Sequence, residues 1–546
     1  MTGVVSEPAA PSRGTSTTRA AAGMGVITAV SRALGLVRVL VVTAVLGVSF
    51  LGNAFQQANS VSNVLFELLA AGALSAVLVP AFVELLDRDD KAGAEQVAGG
   101  VLGVALAGLG IVTVIGVVGA PWLARVLTTT VPDEAQADQR ELVTYLLRFF
   151  VPQIMLYAAG TIATAALYAL RRFAVTAAAP IGNTVVMVAS LVAFRVVAGP
   201  LPEDASGQLD LTSGEQLLLV VAGTGGVIAF VGVLVGACEL AGFRLRPRRP
   251  RGDPRVGAVL RHSGWGVVLH TGAGLLLGAA MIAGAGVEGG VVAYQVGWVI
   301  FLAPYAVLAQ PIHTAILPEL VTEAREHGLA RVAASLRWSL ERMTLLVVPA
   351  TAGMMALALP GMRLVSFGET GARGSELLAA AITGLAVGLL PYSAFLLLAR
   401  GYYALGDSRT PGLVSVSCAV AGVAVMIVGS LVADGAALVL ALGLGHSVAY
   451  TVGVVVLGVG LVRRTGSGLW PAAIGRVVAV SAVVGTAVWL VGRAAVDADT
   501  GRLLNLVVVG GLAAVGAGLV VAGYRLLGVR GALTDRIPVP PPGVAA

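Results

Sequence analysis

The chain has 546 residues, 57% hydrophobic and 12% charged, and carries a net charge of +6. Its mean hydropathy is +0.91. Such a chain cannot cover a soluble domain with charge, so it reads as a polytopic membrane protein, and its pI near 9.6 reports topology rather than nucleic-acid binding. The two cysteines, Cys238 and Cys418, sit in apolar runs without metal-ligand spacing and read as small core residues. The high glycine content, 72 residues, suits close packing of helices in a bilayer.

Residues 1–20 are rich in Ser, Thr, Ala and Pro and read as a disordered tail. The apolar run after them is too long for a cleavable signal and contains Arg32 and Arg38. About fourteen apolar segments long enough to span follow. The first covers about 22–48 and the second about 55–84. Along the second, Gln56, Ser60, Asn63 and Glu67 recur at intervals of four, three and four residues. At about 100° per residue they form one narrow polar stripe. Lipid does not tolerate such a stripe, so the two helices are expected to line a hydrated cavity for a polar, anionic substrate.

The third to sixth segments cover about 95–120, 142–170, 176–197 and 216–240, with a kink expected at Pro152. Six arginines then crowd into 243–255. Segments seven and eight, about 257–285 and 290–316, carry His270, Gln295, Gln310 and His313. Gln295 and His313 are eighteen residues apart, five helical turns, so both are expected on one face. These four are candidates for cavity lining, with hydrogen bonds between helices as the alternative. Segments nine to fourteen cover about 336–359, 377–405, 411–433, 435–462, 471–490 and 503–524.

Lys and Arg alternate between loops. Arg88 and Lys91, Arg171 and Arg172, the six-arginine loop, Arg325 and Arg331, Arg409, and Arg463 and Arg464 all fall on one side. That bias places both termini in the cytoplasm. The arginine-rich loop reads as a topology determinant and an anionic-lipid contact.

An internal repeat is visible. Pro80 and Pro318, each near the end of a segment, are 238 residues apart, and Tyr168 and Tyr403 are 235 apart. Two copies of a six-helix unit follow, 21–255 and 256–462, with a two-helix addition over 463–525 and a tail over 526–546. An even number of helices per copy puts the pseudo-two-fold axis along the membrane normal, with the substrate between the lobes.

Four motifs then resemble those of the lipid II flippase (MurJ/MviN) family. They are Ser31-Arg-Ala-Leu-Gly-Leu-Val-Arg38, Ala70-Ala-Gly-Ala-Leu-Ser-Ala-Val-Leu-Val-Pro-Ala-Phe82, Arg171-Arg-Phe followed by Ala179-Pro180 and Asn183, and Ala399-Arg-Gly-Tyr-Tyr-Ala-Leu-Gly-Asp-Ser-Arg-Thr-Pro411. They occur in the family's order. The resemblance implies an all-α integral membrane fold of about fourteen helices, two six-helix lobes forming a V plus two C-terminal helices. It also implies flipping of lipid II, a lipid-linked peptidoglycan precursor, across the bacterial cytoplasmic membrane by alternating access, without enzymatic chemistry. Arg32 and Arg38, with Gln56, Ser60, Asn63 and Glu67, are the candidate substrate-binding residues. A planar guanidinium suits a pyrophosphate. The implied partners are the lipid-linked precursor, membrane lipids and other cell-wall synthesis proteins, with no nucleic acid. No cofactor is expected, and a Na+ or H+ gradient or the membrane potential supplies the energy.

The chain departs from the family pattern at several charges. Phe66 and Glu67 stand where the family has a basic pair, Ala71 replaces a glutamate, Asn53 replaces an acid, and 299–304 is uncharged. The alternatives are export of another lipid-linked glycan or of drugs, and a transport-silent scaffold for cell-wall enzymes.

Overall fold

The computed structural model describes residues 34–35, 37–66, 72–249, 264–365, 371–497 and 500–529. Every regular element among them is helical. The first half holds α1 (Val37–Leu46), α2 (Phe50–Phe66), α3 (Gly72–Asp87), α4 (Lys91–Val118), α5 (Ala120–Leu127), α6 (Asp133–Phe150), α7 (Gln153–Ala169), α8 (Phe173–Ala198), the short α9 (Ala205–Leu209) and α10 (Ser213–Leu240). The second half holds α11 (Gly264–Gly284), α12 (Gly290–Glu326), α13 (Leu329–Val365), α14 (Gly371–Ala386), α15 (Leu389–Ala404), α16 (Arg409–Val432), α17 (Gly435–Thr465), α18 (Ile474–Ala495) and α19 (Arg502–Leu526).

Ten of these helices, counting α6 and α7 as one, are long and apolar enough to cross a bilayer, and α14 with α15, bent by 42°, makes an eleventh. The expected fourteen is not reached among the described residues. α1 and α11 are shorter apolar helices that border residues outside the description, and α2 and α3 flank 67–71. α2 begins at Phe50, ahead of the expected start near 55. The kink expected at Pro152 is the break between α6 and α7.

Local chemistry sets the helix starts. Asp90 caps α4, its Oδ1 accepting from the Gly93 N–H at 2.8 Å. Thr212 and Glu215 form a reciprocal capping box at the start of α10. Apolar side chains cover the outside: Ile111, Val114, Ile115 and Val118 of α4 and Leu503, Leu504 and Val507 of α19 are all exposed. Water would penalise such a surface, whereas lipid covers it at no cost.

Helices up to α10 pack chiefly on one another, and α11 to α17 do the same. α18 lies on α13 and α19. The two groups meet where α2 packs on α12 and α11, and where α3 packs on α11.

The described part of the arginine-rich loop is an extended strap, residues 243–249. Phe243 and Leu245 are buried beside Phe82, Val97 and Leu167, while Arg244, Arg246 and Arg248 are exposed. The strap lies along α4. The Arg248 N–H donates to the Gly99 carbonyl at 2.8 Å. A Cβ at Gly99 would meet the Arg246 carbonyl oxygen, and one at Gly103 would meet that of Arg248. Glycine at both positions is what lets the strap approach the helix.

Candidate functional site

Between the two helix groups lies a cavity of about 430 Å³. α2 contributes Phe55, Gln56, Asn59, Ser60 and Asn63, and α1 contributes Arg38, Val39 and Val42. Tyr157 of α7, Asn183 and Met187 of α8 and Gly223 and Val227 of α10 complete the first group's side. Leu277 of α11 and Gln295, Val296, Trp298 and Val299 of α12 face them. The α2 residues reach the cavity together because intervals of three and four keep them on one helical face.

Arg38 is the one formally charged side chain among the described lining residues, and it interacts electrostatically with Tyr157. The remaining polar lining is mostly carboxamide: Gln56, Asn59, Asn63, Asn183 and Gln295. A carboxamide both donates and accepts, so this lining matches hydroxyl and amide groups of a head group, while Arg38 supplies charge for an anion. The cavity is bridged at one point, where Gln295 Nε2 donates to Ser60 Oγ at 2.5 Å.

Beyond this bridge the two groups are sealed by buried amides. Asn53, 0% exposed, donates from Nδ2 to the Val287 carbonyl at 2.8 Å and accepts at Oδ1 from the N–H groups of Val291 at 3.0 Å and Val292 at 3.3 Å. The first turn of α12 has no carbonyls of its own for those donors, so Asn53 caps α12 from another helix. Gln57 is likewise fully buried. It donates to the carbonyls of Leu127 and Met281 and accepts from Gln139. Thr130 donates to the Ile282 carbonyl, and Gln208 bridges the Phe50 N–H to the Glu288 carboxylate. The turns here approach closely. Gly289 has φ +74°, and a Cβ on it would sit 2.4 Å from the Val48 carbonyl carbon. Only glycine combines that left-handed backbone with that spacing.

The cavity brings together Arg38, Gln56, Ser60, Asn63 and Gln295. Arg32 and Glu67 lie outside the described residues. His270 is half-buried on α11 and Gln310 exposed on α12, and neither lines this cavity. His313 is buried against Met343, with Nε2 3.2 Å from its Sδ, and its Nδ1 is 3.4 Å from the Tyr305 hydroxyl. The expected shared face of Gln295 and His313 fails because residues Tyr305–Ala309 form a π-helical turn. A π turn takes more residues than an α turn, so the register slips. Trp298, Tyr157 and Asn59 are lining residues that the sequence pattern did not mark. Asn59 is within the spread of the α2 stripe, three residues after Gln56. Asn183 stands in a quoted motif, but nothing local distinguishes Tyr157.

The turn after α15 is held by a network of side-chain contacts. Asp407 accepts from the Thr410 N–H and hydroxyl and from Arg464 at 2.8 Å, and the Arg464 guanidinium lies over the Tyr402 ring. The two cysteines are free and buried.

The model of the family described as "Lipid II flippase MurJ" matches residues 42–508. A Haemophilus influenzae protein named "Probable lipid II flippase MurJ" is 27% identical over 406 residues, covering 70% of this chain and 75% of that protein. The Burkholderia cenocepacia "Lipid II flippase MurJ" is 25% identical over 393 residues, covering 70% of this chain and 72% of that protein. Among solved structures, "Lipid II flippase MurJ, inward closed conformation" superposes with a TM-score of 0.69 at 15% identity, over 93% of this chain and 99% of that one. An inward-facing multidrug resistance transporter of the MATE family superposes with a TM-score of 0.59 at 14% identity, over 80% and 96%. At such identities these two structures speak for the fold.

Proposed function

The chain belongs to the lipid II flippase MurJ family, and we propose on that basis that it turns lipid II over in the bacterial cytoplasmic membrane by alternating access. The observation that carries this reading is the cavity between the helix groups, polar on both walls, with Arg38 beside it and a buried amide seal at one end only a few residues away. The head group enters the cavity while the polyprenyl tail stays in lipid. Arg38 binds the pyrophosphate, and the carboxamides bind the sugar and peptide groups. Opening the seal while closing the opposite end moves the head group across.

The arginine bias of the loops supports cytoplasmic termini and puts the seal on the outer side. Exposed Arg244, Arg246 and Arg248 then face the inner surface, where anionic lipid is the expected contact. Other cell-wall synthesis proteins are further partners of this reading, and energy comes from an ion gradient or the membrane potential. No step calls for covalent catalysis. Export of a different lipid-linked glycan remains the second reading, favoured by the single charge on the described cavity wall.

Depleting the protein in living cells and labelling lipid II from outside tests the proposal. Lipid II should accumulate in the inner leaflet. Unchanged outer-leaflet lipid II after depletion, in cells without a second flippase, would overturn it.

A further inference from the structure

The first helix group carries a short helix that touches both the molecular surface and the seal. α5 follows α4 after a single residue, Gly119. α4 starts at Lys91, among the basic loops, and is long enough to cross the bilayer. Its far end exposes Ile111, Val114, Ile115 and Val118. α5 therefore begins where α4 leaves the bilayer, at the end of the molecule that holds the seal.

The eight residues of α5 divide into two faces. Ala120, Ala124 and Leu127, at intervals of four and three, are buried. Trp122 is followed after three and four residues by Arg125 and Val126, and these three form the exposed face, Trp122 at 71% and Val126 at 52%. Water would penalise an indole and a valine held out in this way, whereas the boundary between head groups and acyl chains suits both. The Arg125 guanidinium lies over the Trp122 ring, 4.9 Å from its centroid. It forms no ion pair among the described residues. A second such pair, Arg493 over Trp489 at 5.6 Å, stands near the end of α18. α18 follows the Arg463 and Arg464 side of the chain, so this end is on the same side as α5. Two separate helices thus present an indole and a guanidinium together at the outer end of the molecule.

The other end of α5 belongs to the seal. The Leu127 carbonyl accepts from Gln57 Nε2 at 2.7 Å, and the same nitrogen donates to the Met281 carbonyl at 3.1 Å. Three residues on, the Thr130 hydroxyl donates to the Ile282 carbonyl. A Cβ at Gly286 would stand 3.1 Å from the Thr130 carbonyl oxygen. Thr128, between them, is fully buried. α5 thus runs into the contact with the end of α11, which must part for the cavity to open outward.

We propose that α5 is a lipid-anchored latch of the outer seal. Trp122 and Val126 lie in the interfacial band of the outer leaflet, and Arg125 takes the phosphate of a glycerophospholipid head group there. The proposal rests on the topology of the flippase reading and not on its cargo. The apolar face is offered to the bilayer in this sealed form, so the lipid contact holds α5 against the end of α11. Opening separates Leu127 and Thr130 from the Met281 and Ile282 side, and it pulls α5 against its lipid contact. Lipid engagement and seal closure therefore favour one another, by the same factor in each direction.

The test uses the full chain in vesicles of phosphatidylcholine and phosphatidylglycerol. Bromine on the acyl chains near the head group quenches an indole in the interfacial band. The difference in fluorescence between wild type and Trp122→Phe isolates Trp122 among the six tryptophans. That difference should be quenched strongly by shallow bromine and weakly by bromine near the chain ends. For the seal, Val287→Cys is introduced in a chain lacking Cys238 and Cys418, and an impermeant maleimide measures its exposure. Trp122→Gln with Val126→Gln should speed labelling several-fold, and Arg125→Gln should speed it by less. Trp122→Tyr should keep the original rate. In a second chain, native Cys238 is kept as the only thiol. It is buried beside Phe243 and should stay unreactive in every variant. A Trp122 signal that shallow bromine leaves unquenched overturns the proposal, as does labelling that the double variant leaves unchanged or slows. Reaction of Cys238 in the double variant would mean that the whole fold has loosened, and would overturn the latch as well. Neither measurement involves lipid II, so failure of the flippase reading in a turnover assay would leave both results standing.

Discussion

Asn53 accepts a hydrogen bond from the backbone of Val291, the residue 238 positions further along the chain. The same interval separates Pro80 from Pro318. The second bridge, Ser60 to Gln295, spans 235 residues, the interval between Tyr168 and Tyr403. Both bridges tie α2 to α12 where the two helix groups meet.

Asn53→Ala removes three hydrogen bonds and leaves the first donors of α12 buried without partners. The closed seam should weaken by about 1–3 kcal/mol, shifting the population toward the outward-open form by roughly five- to 150-fold. A cysteine at Val287, buried in the seam at 6% exposure, reports this in a chain lacking Cys238 and Cys418. An impermeant maleimide added from outside should label it faster in the Asn53→Ala background. Equal labelling rates would mean that apolar packing alone holds the seam.

The strap on α4 offers a second prediction. Gly103→Leu places a side chain where the Arg248 carbonyl lies, so the strap must lift from α4 at Arg248 while α4 itself gains helix propensity. Trypsin should then cut the detergent-purified protein within the strap at least several times faster, with thermal stability little changed. Unaltered cleavage would show that Phe243 and Leu245, not the glycine groove, hold the strap.

Much of this was legible in the sequence, for physical reasons that differ by feature. Helix positions followed from apolar run length, since the bilayer demands about twenty such residues. The α2 stripe followed from helical periodicity, and Gln56, Ser60 and Asn63 do share the cavity wall. His313 escaped because a π turn has no periodic signature in the sequence and slips the register by part of a turn. Asn53 showed only as a neutral residue in place of an acid. Its role as a cap for a helix 238 residues away is a tertiary fact.

Asp407 predicts an effect at acid pH. Burial pushes its carboxyl up, but the N–H and hydroxyl of Thr410 and the Arg464 guanidinium outweigh this and hold it below the usual carboxylate range. A depressed folded value means that the stabilisation is present above the unfolded value, about 4, and is lost as pH falls through the folded value. Arg464 is 43% exposed, so solvent screening limits the ion pair to below about 1 kcal/mol. Asp407→Asn should lower the melting temperature slightly at neutral pH and by less below about pH 4. Thermal unfolding of purified protein across that range checks it. An equal loss at every pH would place the contribution in the Thr410 hydrogen bonds alone.

Arg38 carries the case for an anionic cargo. It stands on α1 at the cavity, next to Tyr157, and no other described lining residue is charged. A guanidinium grips a pyrophosphate through two parallel N–H donors and keeps its charge at any physiological pH. Hydrogen bonds to charged groups contribute roughly 1.5–3 kcal/mol, so Arg38→Ala should slow lipid II turnover roughly ten- to a hundredfold while leaving the protein inserted at normal level. Arg38→Lys retains charge but not the planar fork, and should fall between the two. A guanidinium that only braces α1 against Tyr157 behaves differently: Arg38→Ala would then lower the amount of folded protein, and turnover per folded molecule would stay near wild type. Measuring membrane level and proteoliposome turnover for both variants separates these outcomes. Wild-type turnover by Arg38→Ala at wild-type level would leave the described cavity with carboxamides alone, a lining suited to a neutral glycan and not to a pyrophosphate.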